Sequence, residues 1–252
     1  MTDLNLANTI GLWFDFSDDL RTQALHLLDQ PTLELGNEGL AQPSVFAAAL
    51  LARTITNHKA VLILLRAGLI TEARTLTRSC LENVLWMRRL VAEGTDFVKV
   101  ILDDARQAEV SFAKTLLPAA AFLSNQERKE LQQQAMRKGP KKIDLSDNAK
   151  KDEGDCEYLI FKGLSGDSAH PSAKALSRHV PVNADGYIKE FFVEPPMDAQ
   201  DLGLTLHFAT TALFNAMSMY VGSQPSAKAE GIIEAVGMRY NALADETLLL
   251  VV

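Results

Sequence analysis

Cysteine is scarce in this chain. Its two thiols, Cys80 and Cys156, stand far apart and belong to no Cys-x-x-Cys pair and no Cys/His cluster of metal-ligand spacing. That excludes a zinc-stapled or disulfide-stapled scaffold. Both are expected to be reduced, buried structural thiols of a protein in a reducing, cytoplasmic compartment. Long apolar runs are also missing. Stretches such as Ala60–Leu65 fall far short of the ~20 residues that a membrane span needs. Leu202–Val221 comes closest, but it contains His207 and Asn215 and follows Asp201, so a buried helix is expected there and no membrane partner. The first residues lack a basic region followed by an apolar stretch, which leaves no expectation of a signal peptide. Positive charge is in deficit as well, with a formal net charge of -7. Nucleic acid is therefore not favoured as a partner, because phosphate attraction needs a basic face. No Gly-rich phosphate loop, HExxH, GxSxG or zinc pattern occurs, so most nucleotide-binding, metalloprotease and α/β-hydrolase readings fall away, and neither a cofactor nor a metal is expected.

What is present is helix. With 252 residues, 47% of them apolar, the chain can bury a core as one domain without staples. Pro43-Ser44 opens a long Ala/Leu-rich segment, Val45–Leu65, with Ser44 as cap. After Ala67-Gly68-Leu69, Thr71 caps a second helix that runs to Glu93 and stops at Gly94. Thr95-Asp96 opens a third, to about Leu117. Ser124 with Glu127 has capping-box spacing and starts a polar helix to about Lys138. Residues 138–153 are charged and poor in apolar side chains, and read as a flexible surface loop. A short helix is expected over Glu157–Leu164. Val180–Val193 departs from this pattern: two β-type runs flank Asn183-Ala184-Asp185-Gly186 and predict a small hairpin over residues 180–193. Asp198 caps a long apolar helix to about Tyr220, and Ser226 caps the last, within residues 226–249. The fold class expected is mainly α, a multi-helix bundle with one small β-hairpin. Residues 1–40 would be an N-terminal helical extension, and Val45–Leu65, Arg74–Leu90 and Leu202–Tyr220 the centre.

Polar chemistry gathers in three places. Arg74, Arg78 and Glu82 follow one another at i, i+4, i+8, along one slowly drifting line of a helix. An apolar stripe of Ala73, Cys80, Val84, Met87 and Val91 lies about 100° away. The arginines thus sit at the border of a buried face, where they either hold helices together as an ion network or bind an anion. The second place is Ser165-Gly166-Asp167-Ser168-Ala169-His170-Pro171-Ser172, a loop whose His170 would meet a helix carboxylate, with Glu82 as the preferred partner. Its spacing matches no hydrolase triad. The third is Arg53-x4-His58, the spacing of HEPN-type ribonucleases, in which such a pair activates a ribose hydroxyl and steadies phosphate. Five histidines and twelve arginines at three allowed spacings give about 0.7 such matches by chance. The pair Arg178-His179 matches no metal or catalytic spacing. His26 and His207 lie in apolar helical surroundings that suit core histidines.

The stretch from Leu64 through Gly68-Leu69 to Glu72-Ala73-Arg74-x-Leu76-x-Arg78-x-x-x-Glu82 resembles the hallmark of the DUF5677 family. Leu164-Ser165 through Ala169-His170-Pro171-Ser172 resembles that family's second motif, and the likeness would span residues 44–222. The resemblance implies an all-helical fold with a shared polar cluster at Arg74, Arg78, Glu82 and His170. It implies no activity. Three readings follow: a binding or regulatory module using that cluster, a HEPN-like ribonuclease of a bacterial stress or defence system, or a structural homo-oligomer built on the apolar C-terminal helix.

Overall fold

Helix formers dominate the sequence, and the computed structural model is helical wherever they do. It describes residues 3–29, 39–137, 139, 143–146, 156–168, 171–182, 185–188 and 190–246. Nine α-helices lie among them: α1 (Asp3–Leu28), α2 (Pro43–Arg66), α3 (Ile70–Glu93), α4 (Thr95–Leu116), α5 (Asn125–Met136), α6 (Cys156–Asp167), α7 (Ala173–Ser177), α8 (Ala199–Ser223) and α9 (Ala227–Glu246). A six-residue 3-10 turn, Leu117–Phe122, follows α4.

The helix ends have local causes. Gly68 adopts φ 79°, which lets the chain reverse within Ala67–Leu69, and the Leu69 N–H returns to Leu64 O at 2.9 Å. Gly94, at φ 54°, ends α3 and donates its N–H to Leu90 O. Ser124 and Glu127 form the expected capping box, and Asp198 caps α8 by accepting from the Gln200 N–H. Two expected caps differ. Gln42 holds the cap position of α2, with proline at the first turn, and α3 starts one residue before Thr71, on Leu69, without a side-chain cap. Neither start carries a side-chain cap bond, and at α2 the proline of the first turn has no N–H that would need one.

α2, α3 and α8 pack most extensively on one another and form the centre. Leu51, Val61 and Leu62 of α2, Ala73, Val84 and Leu85 of α3, and Leu206, Leu213 and Met217 of α8 are all essentially sealed from solvent. By length and composition, α2 rather than α8 is the helix, among the described residues, that would suit a membrane; here its apolar face is core. α1 lies across α2 and α8 and buries Trp13, Phe16, Leu20, Ala24 and Leu27, while α9 returns along α8 and α1. α6 covers α3, and α5 packs on α4, away from the centre. Val91 stands about half exposed at the end of α3, so the predicted stripe is buried only from Ala73 to Met87.

The hairpin expected over residues 180–193 is not formed. No strand occurs among the described residues, and an isolated antiparallel bridge, Val182 to Ile188, spans the turn at Gly186 (φ 80°). Asn183, Ala184 and Lys189 lie outside the described residues. Val182, Tyr187, Ile188, Phe191 and Val193 are all exposed, so the segment lacks the packed face that a two-stranded unit needs to persist. Of the expected flexible loop 138–153, only 139 and 143–146 are described. There the Ile143 N–H donates to Asp104 at 2.8 Å, and Ile143 and Leu145 rest on the core. Cys156 is exposed, contrary to expectation, whereas Cys80 is sealed and its thiol is pushed up to about 12 by burial, against the Arg53 charge. His26 is exposed too, because it falls on the outer face of α1.

Candidate functional site

The polar line on α3 is where α6, the end of α7 and the start of α8 converge. Arg74 is 7% exposed. Its Nη2 donates to Asp201 Oδ1 at 2.5 Å and its Nε to Thr205 Oγ1 at 3.1 Å. The other Asp201 oxygen accepts from Arg178 Nη1 at 2.6 Å. Thr205 closes the arrangement by donating to Asp201 O, one turn back. Asp201 lies in the first turn of α8, where the helix dipole favours a carboxylate. Partial burial pushes its carboxyl up, but the hydrogen bond from Arg178, the charges of both arginines and the bond from Arg74 outweigh this and hold it below the usual range. Two guanidiniums thus share one carboxylate, each oxygen having its own donor.

One turn along α3, Arg78 makes a different set of contacts. Its Nε donates to Ser165 Oγ at 2.8 Å, its guanidinium carbon lies 4.3 Å from the centre of the Phe161 ring, and its Nη1 reaches Glu82 Oε2 at 3.3 Å. Ser165 in turn donates to Phe161 O on α6. Between the two arginines, Thr75 Oγ1 donates to Ser168 O at 3.2 Å, tying the end of α6 to α3. Ser172 caps α7 and donates back to Gly166 O. Farther along, Glu157 of α6 binds Arg88 at 3.0 Å and accepts from Asn215 of α8 at 2.8 Å.

Beside Glu82 opens a cleft of about 280 Å³ between α3, α4, α6 and the 143–146 segment. Its walls include Glu82, Trp86, Asp104, Tyr158, Phe161 and Lys162. The Trp86 indole N–H has no hydrogen-bond partner among the described residues. Tyr158 and Phe161 lie nearly parallel, 6.2 Å apart. A smaller recess joins the N-terminus of α3 to Arg178, His179, Val193, Pro195 and Pro196. Among the described residues, no three His, Cys, Asp or Glu side chains come close enough to hold a metal ion.

A family model, described as a family of unknown function, DUF5677, matches residues 45–187. The chain belongs to the DUF5677 family. The match runs from α2 to just past the Gly186 turn, so this DUF5677 member carries Asp201, the acceptor for both arginines, beyond the matched span. No curated protein and no solved structure matches the chain.

Of the residues singled out from sequence, Arg74, Arg78 and Glu82 share the polar face of α3, but only Arg78 and Glu82 touch. His170 lies outside the described residues, and with it the contact expected with Glu82. Arg53 and His58 do not come together. Five residues along a helix turn them about 140° apart, leaving Arg53 exposed and His58 with no exposure. His207 stacks edge-on against Trp13 at 4.8 Å, with its Nδ1 unpartnered among the described residues and its pKa lowered by burial. Sequence reading missed Asp201 and Arg178. They sit 127 and 104 positions from Arg74, and no local pattern links them; the one available signal was an unpaired acid in the first turn of an apolar helix. Ser165 belongs to the second polar spot of the sequence, but nothing in its spacing marks it as the partner of Arg78.

Proposed function

We propose that this DUF5677 protein is a binding or regulatory module whose ligand occupies the cleft at the Arg78–Glu82 end of the α3 polar line. The line divides into two halves of different character. At Arg74 every charge is answered within the chain, since Asp201 takes one donor on each oxygen, and the role is to join α3, α8 and the residue after α7. At Arg78 the carboxylate is only partly engaged: Glu82 meets Arg78 through one oxygen, at a long 3.3 Å, and it lines an open cleft. That partly engaged carboxylate is the observation on which the reading rests. Arg78 is itself held by Ser165 and the Phe161 ring, so it orients Glu82 rather than competing for solvent. Flat walls from Trp86, Tyr158 and Phe161, with the carboxylates of Glu82 and Asp104 among them, suit a small planar molecule bearing hydrogen-bond donors or positive charge.

Trp86 makes the test simple, because the chain has two tryptophans and Trp13 is buried on α1. In a Trp13→Phe background, a library of small planar amines and amides is screened by Trp86 fluorescence. Hits are expected to lose about ten-fold or more in affinity in Glu82→Gln, which removes the charge and keeps the shape. Hits that bind Glu82→Gln equally well, or no hits at all, would sink the reading.

A further inference from the structure

Away from that cleft, the C-terminal ends of α1 and α8 and the start of α9 border a second cavity, of about 280 Å³. Leu27, Ala229 and Ile232 give it an apolar wall, and Tyr220, Ser226 and Lys228 bring polar groups to it. The corner between α8 and α9 is held by Gln224, whose N–H returns to Tyr220 O and whose side-chain amide donates to Ser44 O of α2 at 3.3 Å.

Tyr220 is the group there that lacks an answer. It is 3% exposed, and its hydroxyl has no hydrogen-bond partner among the described residues. Leaving a buried hydroxyl unsatisfied is costly, and buried polar groups are nearly always paired. Tyr240 shows the usual outcome, its hydroxyl lying 2.7 Å from Thr211 Oγ1. Burial raises the pKa of Tyr220, so its hydroxyl keeps a proton to donate.

Charge decides what fits. α9 is 20 residues long and begins at the cavity. Ser226 caps it by accepting the Ala229 N–H at 3.2 Å, and the positive end of the helix dipole favours an anion there. Lys228 adds a full positive charge, and no carboxylate lines the cavity among the described residues; Glu230, in the same turn, is exposed and outside the lining. A bare inorganic anion would leave Leu27, Ala229 and Ile232 against water, and a plain hydrocarbon would leave the hydroxyl unpaired. At ~30 Å³ for each water-sized unit, the space suits on the order of nine or ten non-hydrogen atoms. We propose that this cavity binds a small amphipathic carboxylate with an apolar body of about five to eight carbons, its head at the Tyr220 hydroxyl and the start of α9 and its body against Leu27 and Ile232. The charge preference is opposite to that of the Glu82 cleft, so the two sites are separable.

The test is calorimetric titration of the full chain with sodium octanoate, beside octylammonium and acetate. Octanoate is expected to bind at least about ten-fold tighter than either, and to raise the Tm of the chain. Tyr220→Phe should weaken octanoate about ten-fold, and Lys228→Gln should weaken it several-fold in a salt-dependent way. Tyr220→Phe removes no hydrogen bond of the free chain, so its own Tm should match or exceed the parent while the rise given by octanoate shrinks. Ile232→Trp, which fills the cavity from a half-buried position, should block octanoate independently of the hydroxyl. Glu82→Gln should leave octanoate binding unchanged. The proposal is overturned by no binding at about 1 mM octanoate, by acetate or octylammonium binding as tightly, by octanoate binding that Tyr220→Phe and Ile232→Trp leave intact, by a Tyr220→Phe chain that melts well below the parent, or by loss of octanoate binding in Glu82→Gln.

Discussion

His58 offers a stability test that the fold makes quantitative. Its imidazole has no exposure, and neither ring nitrogen has a hydrogen-bond partner among the described residues. Burial, helped by the positive charge of Arg21 and opposed by Asp18, lowers its pKa from 6.5 to about 3. In the unfolded chain the ring takes up a proton as pH falls through its ordinary range; in the folded chain it does so only near the lowered value. Between the two, the unfolded state binds the extra proton. Stability therefore falls with acidification, by about 1.4 kcal/mol per pH unit, towards a total of roughly 5 kcal/mol. That is comparable with the ~5–15 kcal/mol that holds a typical domain together. Urea unfolding of the wild type and His58→Leu, compared at several pH values, isolates the effect, because other titrating groups cancel in the difference. Near neutrality His58→Leu should equal or exceed the wild type, since no hydrogen bond is lost and two unsatisfied nitrogens are removed. By about pH 4.5 its advantage should have grown by a further 2–3 kcal/mol, roughly. Parallel pH profiles for the two proteins would refute the argument.

Three further variants are tests of the contacts. Asp201→Asn leaves the buried Arg74 facing a neutral amide and should cost about 2–4 kcal/mol, or roughly 10 °C in Tm; a Tm within a degree or two of the parent would remove the Arg74–Asp201–Arg178 contacts from the account of stability. The same contribution is present above the ordinary carboxylate range and lost as pH falls through the depressed pKa of Asp201, so Asp201→Asn should flatten the acid limb of the melting profile. Ser124→Ala removes the capping box of α5 and should cost about 1 kcal/mol locally, visible as faster amide exchange over Asn125–Met136 even if the global transition is unmoved. Since Arg53 and His58 form no pair, any RNA cleavage by the purified protein should survive Arg53→Ala; its loss would restore the ribonuclease reading of that spacing.

The helices were legible because their signals are local. Glycines 68 and 94, the Ser124–Glu127 box and the Asp198 cap all act within a few residues, and the apolar spacing of α2, α3 and α8 marks a centre. The Arg74–Glu82 line was legible for the same reason: its border position follows from helical periodicity. What escaped was whatever depends on two distant segments meeting. Asp201 becomes the acceptor of Arg74 only because α8 docks against α3, and Arg178 joins only because α7 ends beside both. The hairpin misled for a related reason. Asp185-Gly186 does turn the chain, as Gly186 shows, but turn chemistry says nothing of whether a packed face exists to hold the strands. His58 escaped in another way, since a histidine on an Ala/Leu-rich helix looks much the same whether sealed or exposed, until its neighbours are known.

The placing of α1 has a consequence for synthesis of the chain. Its buried face, from Trp13 to Leu27, is completed by partners that come near the other end of the sequence: Ser17 bonds Thr210, Trp13 packs on His207 and Tyr240, and Asp19 pairs with Arg239. At ~5–20 residues per second, a ribosome needs on the order of 10–40 s between finishing α1 and delivering those partners. Throughout that interval α1 has α2 but neither α8 nor α9 to rest on, with the Trp13–Phe16 surface still uncovered. Fusions or truncations that delay or remove α8 and α9 should therefore leave α1 as a sticky, half-covered helix, besides taking Asp201 away from Arg74.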